Sequence, residues 1–269
     1  MSGLNRRELL RTGGLAVTLG AIAAACGENR GGSTDPGRVG IAPPTPTLPE
    51  VEDPASDVTI LRTAQSMEYA ALELYESLIE TGALSADEQD LFERIVADHT
   101  EDAHAMGALI TTAGGEPYPC ANEFIVDRSV NPVLAAMKDS DDLHRDVLNT
   151  AFSFESLFGA SYQSFVKQLR ARELRSAVMA HGGRERRHAT VLARIINPDE
   201  TFGPTFFGEP EEKDADGFVV AYAIPSVFGK VSGIELVVGA PNDEGARLDI
   251  QLQTPAQNTF VYEYMTCPA

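Results

Sequence analysis

"HGGRERRHATVLAR", His181 to Arg194, places four arginines in a chain whose formal net charge is −19. It reads either as a basic patch or as a helix with a different inner face. At about 100° per residue, Arg186 and Arg187 each fall about 130° from the midpoint of Glu185 and His188 and point to solvent. Arg184, about 70° away on the same wheel, sits at the flank, where it can pair with a carboxylate. The inner face is then Glu185 and His188, a Glu-x-x-His step that brings both side chains to one side of the helix.

A second helix says the same thing. "HTEDAH", His99 to His104, contains Glu101 and His104 at the same spacing. Each Glu-x-x-His is preceded by a segment with a glutamate and, seven residues on, a tyrosine. These are "MEYAALELY", with Glu68 and Tyr75, and "FESLFGASY", with Glu155 and Tyr162. Glu68 lies 33 residues before Glu101, and Glu155 lies 30 before Glu185. The pattern Glu-x6-Tyr then Glu-x-x-His therefore occurs twice in the same order. It is an internal repeat, as expected when two like helical hairpins face each other.

Helical period extends over four long segments, at about 56–81, 85–113, 140–169 and 172–197. "SADE", Ser85 to Glu88, is a capping box that starts the second, and Gly114-Gly115 stops it. A short helical turn is expected at "NPVLAAMK", before the third. The links within each pair are short and the middle link, from 114 to about 139, is long. That is the layout of a four-helix bundle made of two hairpins and a long crossover. After Pro198 the runs "GFVVAYAIP", "GIELVVGAP", "RLDIQLQTP" and "TFVYEYM" predict about four short strands. The expected fold is mainly α, a four-helix bundle with a small C-terminal β region.

Four carboxylates and two imidazoles meeting in a bundle core are costly unless a cation joins them. Glu68, Glu101, His104, Glu155, Glu185 and His188 are thus the candidate metal ligands. Their mix of carboxylate and imidazole suits Fe or Mn and does not exclude Zn. Tyr75 and Tyr162 line the same stripe, as hydrogen-bond partners of ligands, as electron relays, or as core tyrosines. His181, one turn before Glu185, is a candidate for contact with the ligands. His99 is expected exposed, Asp98 and Asp102 solvated or behind the ligands, and His144 too far away to join the centre. Gly182-Gly183 is expected to loosen the fourth helix.

The motifs, their order and the first spacing resemble the ferritin-like superfamily, and more narrowly exported bacterial ferritin-like domain proteins. The resemblance covers residues 56–197. It implies a di-iron centre held by the six ligands, with di-manganese as the alternative. The bridging role stays open among Glu101, Glu155 and Glu185. It implies oxidation of Fe(II) by O2 or peroxide, or peroxide disproportionation, in a ferroxidase or a peroxidase- or catalase-like oxidoreductase. The tether and the β region do not match a storage shell. The competing reading is a tethered, non-catalytic structural or interaction module on a ferritin-like scaffold.

The rest of the chain sets the context. With 40 Asp+Glu against 21 Lys+Arg, the surface excludes nucleic acid as a partner and attracts cations diffusely. Arg6 and Arg7 precede an apolar run from Leu15 to Ala25, which has the form of a twin-arginine export signal. "AIAAAC" ends at Cys26, a candidate lipidation site. Residues 1–25 are read as the signal, 26–55 as a flexible Pro- and Gly-rich tether, 56–197 as the bundle and 198–269 as the β extension. The expected location is the cell surface or periplasmic side, anchored to the membrane by lipid, with a homodimer left open. In that compartment Cys120 and Cys267 pair most simply as a disulfide; two separate thiols are the alternative.

Overall fold

The structure is a computed structural model, and it describes residues 55–198 and 232–268. The signal, the tether, Cys26 and the "GFVVAYAIP" run lie outside the described residues. Five helices carry the described bundle: α1 (Asp57–Glu80), α2 (Ala86–Thr112), α3 (Asn131–Met137), α4 (Leu143–Gln168) and α5 (Arg172–Ile196). One turn, Glu123–Ile125, and a π-helical turn, Val126–Val130, lead into α3.

Three of the four long helices begin where a side chain satisfies a free amide. The Ser56 hydroxyl accepts from the Thr59 amide at 3.0 Å. The Ser85 capping box is complete: the Ser85 amide donates to Glu88 at 2.8 Å, and the Glu88 amide donates back to Ser85 Oγ at 3.4 Å. The Asp142 carboxylate accepts from the Arg145 amide at 3.0 Å. Such caps contribute about 1 kcal/mol each. α5 has no cap of its own. Instead Asp57, in the first turn of α1, accepts from the Arg170 amide at 2.7 Å and the Ala171 amide at 3.0 Å. One carboxylate thus ties the start of the first hairpin to the turn of the second. Gly82 and Gly114 take positive φ, 67° and 86°, just past the ends of α1 and α2, where a β-carbon is disfavoured.

α1 and α2 form one antiparallel hairpin, α4 and α5 the other; α1 packs on α4 and α2 on α5. The core between them is aliphatic and aromatic, including Ile60, Leu74, Phe92, Met106, Phe154, Phe158 and Leu192, all at most 1% exposed. Burial on this scale is the main driving force for the bundle.

The β region is a two-stranded antiparallel sheet, β1 (Ser232–Val238) and β2 (Leu248–Gln253), with Leu236 opposite Ile250 and Val238 opposite Leu248. It lies on α4. The Gly239 amide donates to the buried Asp146 carboxylate of α4 at 2.7 Å, and Arg247 meets Asp141 at 2.7 Å. "TFVYEYM" is not a strand. A 3-10 turn, Gln257–Thr259, opens it. The Val261 amide then donates to Thr63 Oγ1 on α1 at 2.9 Å, so a helix side chain takes the bond a neighbouring strand would have taken. Arg62, buried on α1, donates to the carbonyls of Glu116 and Met265 at 2.6 and 2.5 Å. A Cys120–Cys267 disulfide, with Cα atoms 5.9 Å apart, locks the C-terminal strap beside the long link.

Candidate metal centre

The polar interior lies where the two hairpins meet. α1 contributes Glu68, α4 contributes Glu155, and α5 contributes Glu185 and His188. α2 contributes His99 and Asp102, both fully buried. His99 is a hub. Its Nδ1 lies 2.7 Å from Glu68 Oε2, and its Nε2 lies 3.1 Å from Glu155 Oε1. His188 Nδ1 is 3.2 Å from Glu155 Oε2, and its Nε2 is 3.1 Å from Asp98 Oδ2.

Glu185 sits between the two histidines, 3.9 Å from each. Neither of its carboxylate oxygens makes a hydrogen bond, though both are buried. Ligand atoms of His99, Glu155, Glu185 and His188 lie within 4.8 Å of one another, as do those of Glu68, Asp102 and Glu185. Glu185 belongs to both groups. A buried carboxylate without hydrogen bonds is costly, and a cation is the partner that would satisfy it. The donor set, carboxylate with imidazole, fits a divalent ion of the Fe, Mn or Zn type.

The two tyrosines cross between hairpins. Tyr75 on α1 donates to Glu155 Oε1 on α4 at 2.6 Å. Tyr162 on α4 donates to Glu68 Oε1 on α1. The internal repeat therefore closes on itself: each Glu-x6-Tyr segment supplies a donor to the carboxylate of the other. Burial, with the adjacent Glu155 carboxylate, pushes the Tyr75 hydroxyl well above its ordinary pKa; burial and Glu68 do the same to Tyr162. Both stay protonated donors.

Charges in the cluster sort themselves. Burial works against a charged His99, but Glu185 and Glu155 outweigh it and raise its pKa well above the usual value. Burial works against an ionised Glu155, but His99 and His188 outweigh it and hold the carboxyl well below the usual range. Burial pushes Glu185 well up, with Glu68 and Glu155 adding to the effect against the pull of His99.

On α2 the arrangement departs from the sequence reading. The Glu101 side chain is 68% exposed and pairs with Arg184 at 3.0 Å. His104 is exposed. Neither joins the cluster; His99 and Asp102 stand there instead. The physical reason is the apolar stripe of the helix. Phe92, Ile95, Met106 and Ile110 are fully buried, and at about 100° per residue His99 falls within about 10° of their mean direction, whereas Glu101 and His104 fall about 150° away. That stripe was present in the sequence and would have chosen His99 over His104. The Glu-x-x-His match to α5 points instead to Glu101 and His104, which the fold does not bring to the cluster.

Of the two places expected for Asp98 and Asp102, in solvent or behind the ligands, the structure packs both against the cluster: Asp98 bonds His188, and Asp102 lies 2.7 Å from His181 Nδ1 and 2.9 Å from Arg184, although neither Asp102 oxygen has hydrogen-bonding geometry. His181 therefore touches a cluster member, as its position one turn before Glu185 suggests. His144 is remote and pairs with Glu88 at 3.0 Å. Arg187 is exposed, but Arg186 is not: it is half-buried and lies across Gly159 of α4, 2.7 Å from where a β-carbon would stand. Gly182 does not loosen α5, which runs unbroken through it. A β-carbon there would come 2.7 Å from Tyr162 Cβ, so the glycine lets α5 approach α4 where Tyr162 reaches Glu68.

No curated protein and no solved structure matches the chain. A model of the ferritin-like domain matches residues 56–198, more than half of the sequence and the whole of the four long helices that carry the cluster. The chain belongs to the ferritin-like domain family.

Proposed function

We propose that the protein is an exported ferritin-like metalloprotein with a dinuclear Fe or Mn site, which oxidises Fe(II) with O2 or peroxide or removes peroxide. The observation that carries this reading is Glu185. Its two buried oxygens make no hydrogen bonds, and it is shared by two converging ligand groups. Glu68, His99, Asp102, Glu155, Glu185 and His188 would hold the metal, with Glu185 common to both groups. Bound metal would supply the one-electron redox couple that links Fe(II) or peroxide to the oxidant.

The chain's own residues do the rest. The Tyr75 and Tyr162 hydroxyls orient Glu155 and Glu68. A cation that enters the cluster displaces the protons its imidazoles and carboxyls carry. Asp98 fixes the orientation of the His188 ring through Nε2. The apolar shell of Phe92, Phe154 and Phe158 keeps bulk water away from the cluster. The Arg6-Arg7 signal supports export of a protein already folded, and Cys26 supports a lipid anchor after export.

A second reading is favoured by a different observation. His99 faces Glu68 and Glu155 through its two ring nitrogens, so the cluster can also serve as a purely structural polar core of a tethered module. Metal stoichiometry by elemental analysis, followed by a ferrous-oxidation assay, separates the two. Two ions per chain and accelerated oxidation support the oxidative reading. No bound Fe or Mn after anaerobic loading would overturn it, and binding that stabilises without turnover would favour the structural module.

A further inference from the structure

Tyr162 is fully buried and hydrogen-bonded to Glu68, yet a row of rings connects it to solvent. Tyr162 meets Phe165 with centroids 6.2 Å apart, and Phe165 meets Phe260 at 6.4 Å. Phe260 meets Tyr262 at 6.4 Å, and Tyr262 stacks on Tyr264 at 5.7 Å with only 6° between the planes. All four separations are those of rings in direct contact. Tyr264 is 82% exposed, the most exposed large hydrophobic side chain among the described residues. Tyr262 is partly buried against the core, and Tyr264, stacked on it, stands in solvent. The strap that bears the pair is fastened to the bundle by the disulfide, by Arg62, by Thr63 and by the Ser56 hydroxyl, which donates to Glu263 at 2.5 Å.

We propose that Tyr162, Phe165, Phe260, Tyr262 and Tyr264 form a one-electron path between the buried His/Glu cluster and the surface. The inference rests on the oxidative reading of the cluster only for its oxidant, a peroxide-derived or metal-centred one-electron acceptor. Tyr162 gives that acceptor one electron, and its phenolic proton passes along the existing hydrogen bond to Glu68. The stacked pair Tyr262–Tyr264 then returns one electron to Tyr162 across Phe260 and Phe165, which couple the tyrosines without being oxidised. Tyr162 takes its proton back from Glu68, and Tyr264 releases its own to water. A small hydrogen-atom donor in solution, a phenol or an enediol, restores Tyr264. In sum the donor loses one electron and one proton, the acceptor gains the electron, and the interior keeps no radical. Among the described residues, the rings that Tyr75 itself meets, Phe92 and His99, are both fully buried.

The test uses the metal-free full chain, so it stays readable whether or not the cluster binds metal. Photo-generated ruthenium(III) tris-bipyridine, too bulky to reach the core, oxidises surface tyrosines, and samples are frozen for electron paramagnetic resonance. The wild-type protein is expected to show a hydrogen-bonded tyrosyl component that disappears in Tyr162→Phe. The same component is expected to be lost in the Tyr262→Phe/Tyr264→Phe double variant and in Phe260→Leu, with circular dichroism showing an intact bundle, and kept in Tyr69→Phe. Persistence of the component in the double variant or in Phe260→Leu would overturn the path, as would a wild-type spectrum with no component that depends on Tyr162.

Discussion

Tyr75 on α1 donates its hydroxyl proton to Glu155 on α4 at 2.6 Å, across the seam between the two hairpins. Glu155 also faces His99 and His188, so the tyrosine fixes which of its oxygens turns toward each ring. Tyr75→Phe keeps the ring in its pocket and removes one donor. The loss is expected to destabilise the metal-free protein by about 1–3 kcal/mol, read by urea denaturation, and to weaken divalent metal binding by about 10–100-fold, as for other residues that orient a ligand. Tyr162→Phe, which deprives Glu68, is expected to do the same.

The ligand assignment on α2 has a direct check. His99→Ala and Glu185→Gln are expected to abolish tight binding of Fe(II) or Mn(II) in isothermal titration, while His104→Ala and Glu101→Gln leave it within about threefold, because surface substitutions stay within about ±0.5 kcal/mol. Loss of binding in His104→Ala would return the ligand role to the register first suggested by the sequence. Glu185→Gln also tests the electrostatics of the cluster. A neutral amide replaces a carboxyl whose ionisation burial disfavours, so the metal-free variant is expected to be as stable as the wild type or more so.

The fold was legible from the sequence because it rests on repetition. Four apolar stripes, the Ser85 box and the unequal links specify two hairpins and a crossover without any knowledge of the core. Glu68, Glu155, Glu185 and His188 were legible for the same reason. His99 and Asp102 were not, because on α2 the Glu-x-x-His motif and the apolar stripe of the helix point about half a turn apart. The crossed tyrosine bonds were out of reach of spacing alone, which shows that Tyr75 and Glu68 share a face but not that each tyrosine serves the opposite hairpin. "TFVYEYM" misled because alternation cannot tell a strand from an extended strap whose amide is taken by Thr63.

Metal-free stability should depend on pH in a specific way. Glu155 is held below its ordinary 4.5; its contribution is present above 4.5 and lost as pH falls through its folded value. His99 is raised above 6.5; its contribution is present below 6.5 and lost as pH rises through its folded value. Glu185, raised above 4.5, acts in the same direction as His99. Stability in chelator is therefore expected to peak in mildly acidic solution and to fall on the alkaline side. Thermal melts across pH would show it. Divalent metal, which replaces those protons, should remove the alkaline fall, and Glu185→Gln should make it shallower.

The Cys120–Cys267 disulfide spans 147 residues. In the chain-entropy model a loop of that size contributes on the order of 4–5 kcal/mol. Cys120→Ser/Cys267→Ser is expected to lower the unfolding free energy by about that amount or less, measured by urea denaturation beside the wild type under reducing and oxidising conditions. The wild type in reductant should approach the double variant, and a reductant effect on the double variant itself would show that something other than this bond is responsible.

Three glycines discriminate between close approach and mere flexibility in the α4–α5 seam. A β-carbon at Gly182 would stand 2.7 Å from the β-carbon of Tyr162, one at Gly159 would stand 2.7 Å from Arg186 Nε, and one at Gly183 would meet nothing within 4 Å. Gly183→Ala is expected to stabilise α5 by about 0.5–1 kcal/mol through helix propensity. Gly159→Ala meets the far part of a long side chain, which can swing aside, so the clash costs little and the change should be near neutral. Gly182→Ala meets the root of a fully buried ring that cannot move without dragging Tyr162 off Glu68. It is expected to destabilise by about 1–3 kcal/mol and, alone among the three, to weaken metal binding. Equal effects at Gly182 and Gly183 would mean that the pair serves flexibility, as its place in "HGGRERRH" first suggests, and that the approach of α5 to Tyr162 is incidental to the centre.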